Sequence, residues 1–414
     1  MQETWRWFGP DDPVSLTDVV QAGARGVVTA LHHIPPGDIW AREDIAKRQR
    51  LIEEVGRASG SPLAWSVVES LPLSEDIKRQ TGDWRAHMEA YRKSLTNLAA
   101  QGIEVVCYNF MPLLDWTRTD LAHRLPNGAT CMRFDLIDFV MFDIFILERP
   151  GARAQFDDDL VAAAETRFRA VDDEFKSRLT RNIIAGLPGA AENHSLSSFK
   201  EQLALYGSCD EEALRRNLRA FLEEVIPHAE EIGIRMCCHP DDPPMSLLGL
   251  PRIMSTEGDY ARLIDSLDLP ANGITLCSGS LGARSDNDVV GMMTRLGHRV
   301  HFLHLRNVRR EHRNLFGAFH ESEHLDGEVD MAALVAAILS EEERRKQSGR
   351  PDHHIPFRPD HGQDILDDLT RRTQPGYPAI GRLKGLAELR GVIQGVRHMR
   401  YERSCNSSSA DLQA

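Results

Sequence analysis

Four runs in the second half of the chain decide how it folds: IRMCCHPDD (residues 234–242), ITLCSGS (274–280), VHFLHLRN (300–307) and IPFRPDHG (355–362). Each opens on apolar, strand-like residues and closes in polar or turn residues. Each also ends on a side chain able to bind a metal: His239, Cys277, His304 and Asp360, with His361 beside the last. These endings stand 38, 27 and 56 residues apart, which suits one strand–loop–helix–loop unit per interval, the last lengthened by an insertion. In a barrel of parallel strands the carboxyl ends meet on one face, so side chains distant in sequence converge there. Taken singly, a His or Cys at a strand end is more often a hydrogen-bonded core residue. Four metal-competent residues at the same strand position instead predict one site, with two imidazoles, a thiolate and a carboxylate for a divalent cation.

Toward the amino terminus the same rhythm continues. GVVTAL (26–31), LAWSVVES (63–70) and IEVVCYNF (103–110) read as strands. Helical patterns at about 42–57 and 81–101 separate them, the second placing Trp84, Met88, Tyr91, Leu95 and Leu98 at three- and four-residue steps. Strand and helix in alternation mean a parallel sheet. RNIIAGLPG (181–189) supplies a candidate for one more strand, and the total of eight favours a closed (β/α)8 TIM barrel over an open doubly wound sheet. The Gly-rich phosphate fingerprints of nucleotide folds are missing. Residues from about 120 to 205 are charged and helical in pattern, and are expected to be a helical insertion serving as a cap or subunit contact. The expectation is one catalytic barrel domain over 1–399, with a disordered tail at 400–414 ending in SCNSSSADLQA.

Composition narrows the function. Net charge is −13, from 49 basic against 62 acidic residues, which argues against sequence-independent nucleic-acid binding. An anionic small molecule stays possible, because a metal or a few arginines reverse the local sign. The most apolar window, DLIDFVMFDIFIL (135–147), is broken by acids and too short for a membrane span, and no charged-then-apolar leader opens the chain. The seven cysteines lack the spacing of a disulfide scaffold. A cytoplasmic protein without nucleic-acid or membrane partners is expected.

Several long strings carry a resemblance: TWRWFGPDDPVSL (4–16), GVVTALHHIPPGDIW (26–40), VCYNFMPLLDWTRTDL (106–121), HPDDPP (239–244) with LGLPRIMST (248–256), PANGITLCSGS (270–280), FHESEHLDGEVDM (319–331), PFRPDHG (356–362) and PGYPAIGRLKGLAELRG (375–391). They span nearly the whole chain, which through them resembles the mannonate dehydratases, metal-dependent lyases of hexuronate (D-glucuronate) catabolism. The resemblance implies a fold similar to the xylose-isomerase-like barrels and elimination of water from D-mannonate to give 2-dehydro-3-deoxy-D-gluconate. It further implies one Mn²⁺ or Fe²⁺ per subunit and a homo-oligomer, a dimer or higher. It carries the metal ligands onto His239, Cys277, His304 and Asp360, and the acid/base pair onto His361 and Tyr377. Cys238 stands where the family has a small apolar residue, and Gln363 where a second His is common. RASGSPLAW (57–65) is slightly longer than usual, and the tail is the chain's own.

The chemistry asks for these groups. A proton beside a carboxylate is hard to remove unless a cation neutralises the charge that forms, and a departing hydroxyl needs a proton donor. Either of His361 and Tyr377 could be base or acid. A tyrosine starts near pKa ~10, which inclines the assignment to His361 as base and Tyr377 as acid. In a Pro-Gly-Tyr-Pro turn Tyr377 could equally well only pack. The thiolate of Cys277 with two imidazoles suits Zn²⁺ or Fe²⁺ better than Mn²⁺, in tension with the family's metals. Arg306 is a candidate fork for the substrate carboxylate, or else a salt bridge. His33 and Asn109 follow strands where barrels draw binding residues, and Arg6 is a candidate to close over the mouth. Asp241 and Asp242 either orient an imidazole or cap a turn. Cys237 and Cys238 are expected in the core, and His298, His312, His320 and His324 away from the ligand set. Two other readings share these residues: a metal-dependent sugar isomerase or epimerase, and a closed structural metal site in a binding protein.

Overall fold

Residues that alternate between a barrel's interior and its helical shell are mostly apolar on both faces, as in Gly26–Thr29, Val105–Tyr108 and Val300–His304, which are buried throughout. In the computed structural model, which describes residues 1–184, 195–207, 209–311, 317–371 and 373–411 (side chains through 401), twelve strands are formed. They are β1 (Gln2–Arg6), β2 (Gly26–Thr29), β3 (Ala64–Glu69), β4 (Val105–Tyr108), β5 (Asp120–Arg124), β6 (Thr130–Phe134), β7 (Arg235–Cys238), β8 (Asn272–Cys277), β9 (Val300–His304), β10 (Asn307–Arg310), β11 (Phe319–Ser322) and β12 (Pro356–Arg358). Eight of them close a parallel barrel in the order β1-β12-β9-β8-β7-β4-β3-β2. Val28, Val67, Val105, Cys107, Cys237 and Phe302 fill its interior. Their neighbours Val27, Val68, Val106 and Cys238 face the helical shell instead. Both Cys237 and Cys238 are therefore core, as expected.

The eight barrel strands are not the eight counted in the sequence. β1 pairs with β12 on one side and β2 on the other, closing the barrel. QETWR was overlooked because only Trp5 in it is apolar. RNIIAGLPG, expected as a strand, begins at the end of the helix Asp173–Ile184, where Leu179, Ile183 and Ile184 form one buried stripe. Its remainder, 185–189, lies outside the described residues.

The stretch from 120 to 205 does contain helices, Asp158–Ala170, Asp173–Ile184 and Leu196–Tyr206, but it opens with the hairpin of β5 and β6. This hairpin joins β10 and β11 in an antiparallel sheet ordered β10-β11-β6-β5. Phe134, Phe139, Phe142, Leu179, Val308 and Phe319 form a second core beneath it. The last helix, Ala379–Asp411, runs on into the segment expected to be disordered, whose final residues 412–414 lie outside the described residues. No Gly or Pro follows Gly395 to stop it.

Candidate active site

At the carboxyl ends of β7, β8 and β9, one ligating atom each of His239, Cys277 and His304 lie within 4.8 Å of one another. His239 Nδ1 stands 2.7 Å from the Pro240 carbonyl oxygen. That oxygen can only accept, so the proton sits on Nδ1 and Nε2 keeps its lone pair. Nε2 faces His304 Nδ1 at 3.1 Å. On the far side of the second ring, Nε2 points to Glu69 Oε1 at 3.4 Å without a hydrogen bond. The Arg358 guanidinium, a donor only, approaches Nδ1 at 3.4 Å. Both neighbours favour a proton on His304 Nε2 and a lone pair on Nδ1. Two lone pairs opposed in a buried site repel unless a cation lies between them, and two imidazoles with a thiolate fit a divalent ion.

Asp360 lies two residues beyond β12, at φ 56°. The left-handed turn, which Asp tolerates better than most residues, brings Oδ2 to 3.7 Å from Cys277 Sγ and 4.0 Å from His304 Nδ1. The fourth expected ligand thus borders Cys277 and His304, outside the group of three whose ligating atoms lie within 4.8 Å of one another. Burial opposes ionisation of Asp360, yet Arg358, His361, His304 and Arg306 together hold its carboxyl well below the usual range.

Behind these groups is a buried ion network. Arg306 Nη1 donates to both Glu321 oxygens at 2.8 and 2.9 Å, and Nη2 donates to Asp242 Oδ2 at 2.7 Å and Ser280 Oγ at 3.1 Å. Its Nε lies 2.6 Å from Asp360 Oδ2. Arg118 holds Asp242 with two bonds, of 2.8 and 3.0 Å. Of the two partners expected for Arg306, a substrate carboxylate or a salt bridge at the surface, its fork takes protein carboxylates, in a buried network. Arg358 is paired with Asp360 and, at 2.8 and 3.0 Å, with Glu69.

His361 and Tyr377 meet at this network. His361 Nδ1 donates to Glu321 Oε1 at 3.0 Å, and the Tyr377 hydroxyl lies 3.2 Å from Nε2. The carboxylate fixes the proton on Nδ1, so the tyrosine O–H donates to the Nε2 lone pair. Burial pushes the phenol up to about 12, against the pull of Arg358.

The other expected residues divide. Asn109 lines the cavity at the mouth, with Trp116, His239, Asp360, His361 and Tyr377. Arg6 belongs to β1 itself rather than to an arm over the mouth; it is buried, 3.5 Å from Glu69 Oε2 and stacked over Phe8. Of the adjacent imidazoles His33 is exposed, and His32 is the one facing Arg6, at 3.4 Å. Burial and then Arg6 lower His32 to about 3, so its ring is neutral. Asp241 caps the turn through Met254 N and Ser255 Oγ, whereas Asp242 joins the ion network. His298 is exposed, His324 bonds the Pro359 carbonyl at 2.7 Å, His320 lies on the small sheet, and His312 is outside the described residues.

Sequence reasoning missed Glu69, Arg358, Glu321 and Trp116. The first two also stand at barrel-strand ends and were there to be found. Glu321 arrives from the other sheet, which strand-end reasoning does not reach. The indole N–H of Trp116 is buried without a protein partner among the described residues, a donor available to a substrate hydroxyl.

Known proteins share this chain's features throughout. A family model described as D-mannonate dehydratase (UxuA) matches residues 1–403. A mannonate dehydratase of Rhizobium meliloti (strain 1021) is 56% identical over 401 residues, covering 97% of this chain and 98% of that one. Mannonate dehydratase 1 of Agrobacterium fabrum (strain C58) is 54% identical over 401 residues with the same coverage. The crystal structure of mannonate dehydratase from Streptococcus suis serotype 2 superposes with a TM-score of 0.72 at 32% identity, covering 97% of this chain and 96% of that one. A closed eight-stranded barrel, a cluster of metal-competent side chains at its mouth and identity along nearly the full length lead to one conclusion: the chain belongs to the D-mannonate dehydratase family.

Proposed function

We propose that this chain is a divalent-metal-dependent hydro-lyase that converts D-mannonate to 2-dehydro-3-deoxy-D-gluconate in hexuronate catabolism. The observation that carries the reading is the facing pair of imidazole nitrogens, 3.1 Å apart, beside a hydrogen-bonded His361–Tyr377 pair. His239, Cys277, His304 and Asp360 would hold the ion, Mn²⁺ or Fe²⁺, which when bound neutralises charge on the substrate carboxylate and its neighbouring carbon. His361 Nε2 takes the C2 proton. Tyr377, whose phenol keeps its proton at neutral pH, gives it to the departing C3 hydroxyl, which leaves as water. The C2 proton then passes from His361 to the phenolate along the 3.2 Å contact, restoring both groups, while the enol product becomes the ketone. Glu321 keeps the imidazole in the tautomer this requires. Asn109 and the Trp116 N–H are placed to hold substrate hydroxyls.

We also place residues 1–399 in one catalytic domain and the protein in the cytoplasm as a homo-oligomer, dimeric or larger. No described helix is long and apolar enough to cross a membrane. Light scattering of the purified protein tests the assembly, and a monomer would refute it. The activity is tested by incubating protein and Mn²⁺ with D-mannonate and assaying 2-keto-3-deoxy acid. Isomerised sugar acid without that product, or no turnover, would overturn the reading.

A further inference from the structure

We infer that a second cation site, for a divalent ion of the zinc class, lies on the small antiparallel sheet and is built from His123, Glu311 and His320. It is separate from the barrel mouth and does not depend on the proposed reaction. One ligating atom from each residue lies within 4.8 Å of the others. β6 runs between the two histidine strands, with Cys131 opposite His123 and Arg133 opposite His320. Cys131 and Arg133 are two apart on one strand, so both imidazoles project from the same face. Their ring centroids are 5.8 Å apart.

Glu311 is fixed just past β10. Its N–H donates to the Ala318 carbonyl at 2.9 Å, closing the hairpin base. Arg133 grips its carboxylate at 2.6 and 2.7 Å, and Oε1 stands 3.4 Å from His320 Nδ1. A guanidinium opposes a second cation, but it is outnumbered. Arg133 is also paired with Asp135 at 2.7 Å, and Asp120 lies opposite it in register. Arg309, opposite His320 on β10, is itself paired with Asp326 at 2.5 Å, so four acids against two arginines leave two negative charges to meet a dication. A ligating carboxylate oriented by another side chain is an ordinary feature of metal sites. Two imidazoles and a carboxylate, half open to water, suit zinc, nickel or copper. An ion there would tie β5 to β11 across β6, and Glu321, the residue after His320, turns to the opposite face toward His361.

Cobalt(II) tests the site in the full-length protein. After chelator treatment and dialysis against Co²⁺, about two ions per chain are expected. The barrel ion, with Cys277, gives a near-ultraviolet thiolate band, and the sheet ion gives only the weaker visible bands. His123→Ala and His320→Ala, both at incompletely buried positions, should each lower the count to about one with the thiolate band intact, which reports a folded barrel. Cys277→Ser should abolish the band and keep the sheet ion. A wild-type count of about one, carried by the thiolate site, overturns the inference, as does retention of the second ion by either histidine variant. A missing thiolate band with a histidine-dependent ion present would count against the barrel centre and leave this site standing.

Discussion

Glu321 and His361 come from different sheets and meet at 3.0 Å: the acid from β11 of the small sheet, the imidazole from the loop after β12 of the barrel. The contact fixes which ring nitrogen carries the proton and leaves the other with the lone pair that the proposed base requires. Glu321→Gln keeps the shape but not the charge, and its amide can present a donor to Nδ1. We expect kcat to fall about 10–100-fold with metal content unchanged, the range seen when a group behind a metal-site residue is lost. Steady-state kinetics with elemental analysis decides it; an unaltered kcat would release Glu321 from this role.

Tyr377→Phe removes the proposed donor and little else, since the ring still packs edge-on against Phe8 and His361. Loss of a general acid typically costs about 10²–10⁴-fold in rate. Ion content and unfolding midpoint should match the parent. Turnover at the parent's rate would return Tyr377 to a packing role.

Cys277→Ser exchanges the one soft member of the proposed ligand set for a hydroxyl that does not ionise at neutral pH. Metal retention through gel filtration and activity should fall together. A variant that keeps the parent's metal content shows that the sulfur does not ligate.

Arg306→Lys replaces a fork that reaches three carboxylates, Asp242, Glu321 and Asp360, with a single ammonium. Asp242 and Glu321 keep Arg118 and Asp360 keeps Arg358, so the loss of stability should be about 1–3 kcal/mol, that of unmade buried hydrogen bonds, and short of a fully broken buried pair. Urea unfolding measures it. A loss inside the error of the method would mean that the lysine serves all three.

Acid should dismantle the same network at a defined pH. Burial alone would raise the Glu321 carboxyl, but Arg306, His361 and Arg118 bring it to about 2, below its ordinary 4.5. A depressed acid contributes stability that is complete above the ordinary value and drains as pH falls toward the lowered one. The gap in urea midpoint between the parent and Glu321→Gln should stay constant from about pH 8 to 5 and narrow below about pH 4. A gap that begins to close near neutrality would point to a different titrating group.

How much of this the chain announces depends on where a signal lives. β7, β8, β9 and β12 were legible because interior strands are apolar on both faces and because ligating side chains at their ends are chemically conspicuous. β1 was not, since closure of the barrel rather than its own composition makes QETWR a strand. His33 was preferred over His32 because adjacent residues on a loop carry no periodicity to tell inward from outward. For Arg306 the sequence leaves two partners open, because an arginine near a strand end suits a substrate carboxylate and a protein carboxylate equally; the structure fills its fork with Asp242 and Glu321. Glu321 needed knowledge that two distant hairpins pair into one sheet, a relationship no local pattern encodes.

The ion network has a consequence for selectivity. Glu69, Asp242, Glu321 and Asp360 are paired with Arg6, Arg118, Arg306 and Arg358, so these four arginines are committed to protein carboxylates, and Asp115 adds one more carboxylate to the cavity wall. An anionic guest would therefore owe its attraction to an ion held by the His239–Cys277–His304 cluster rather than to these side chains. Competition assays with an aldose and an aldonate of one carbon skeleton should rank the aldonate first with divalent metal present and lose that ranking after chelation; an aldonate preference that survives chelation would contradict this.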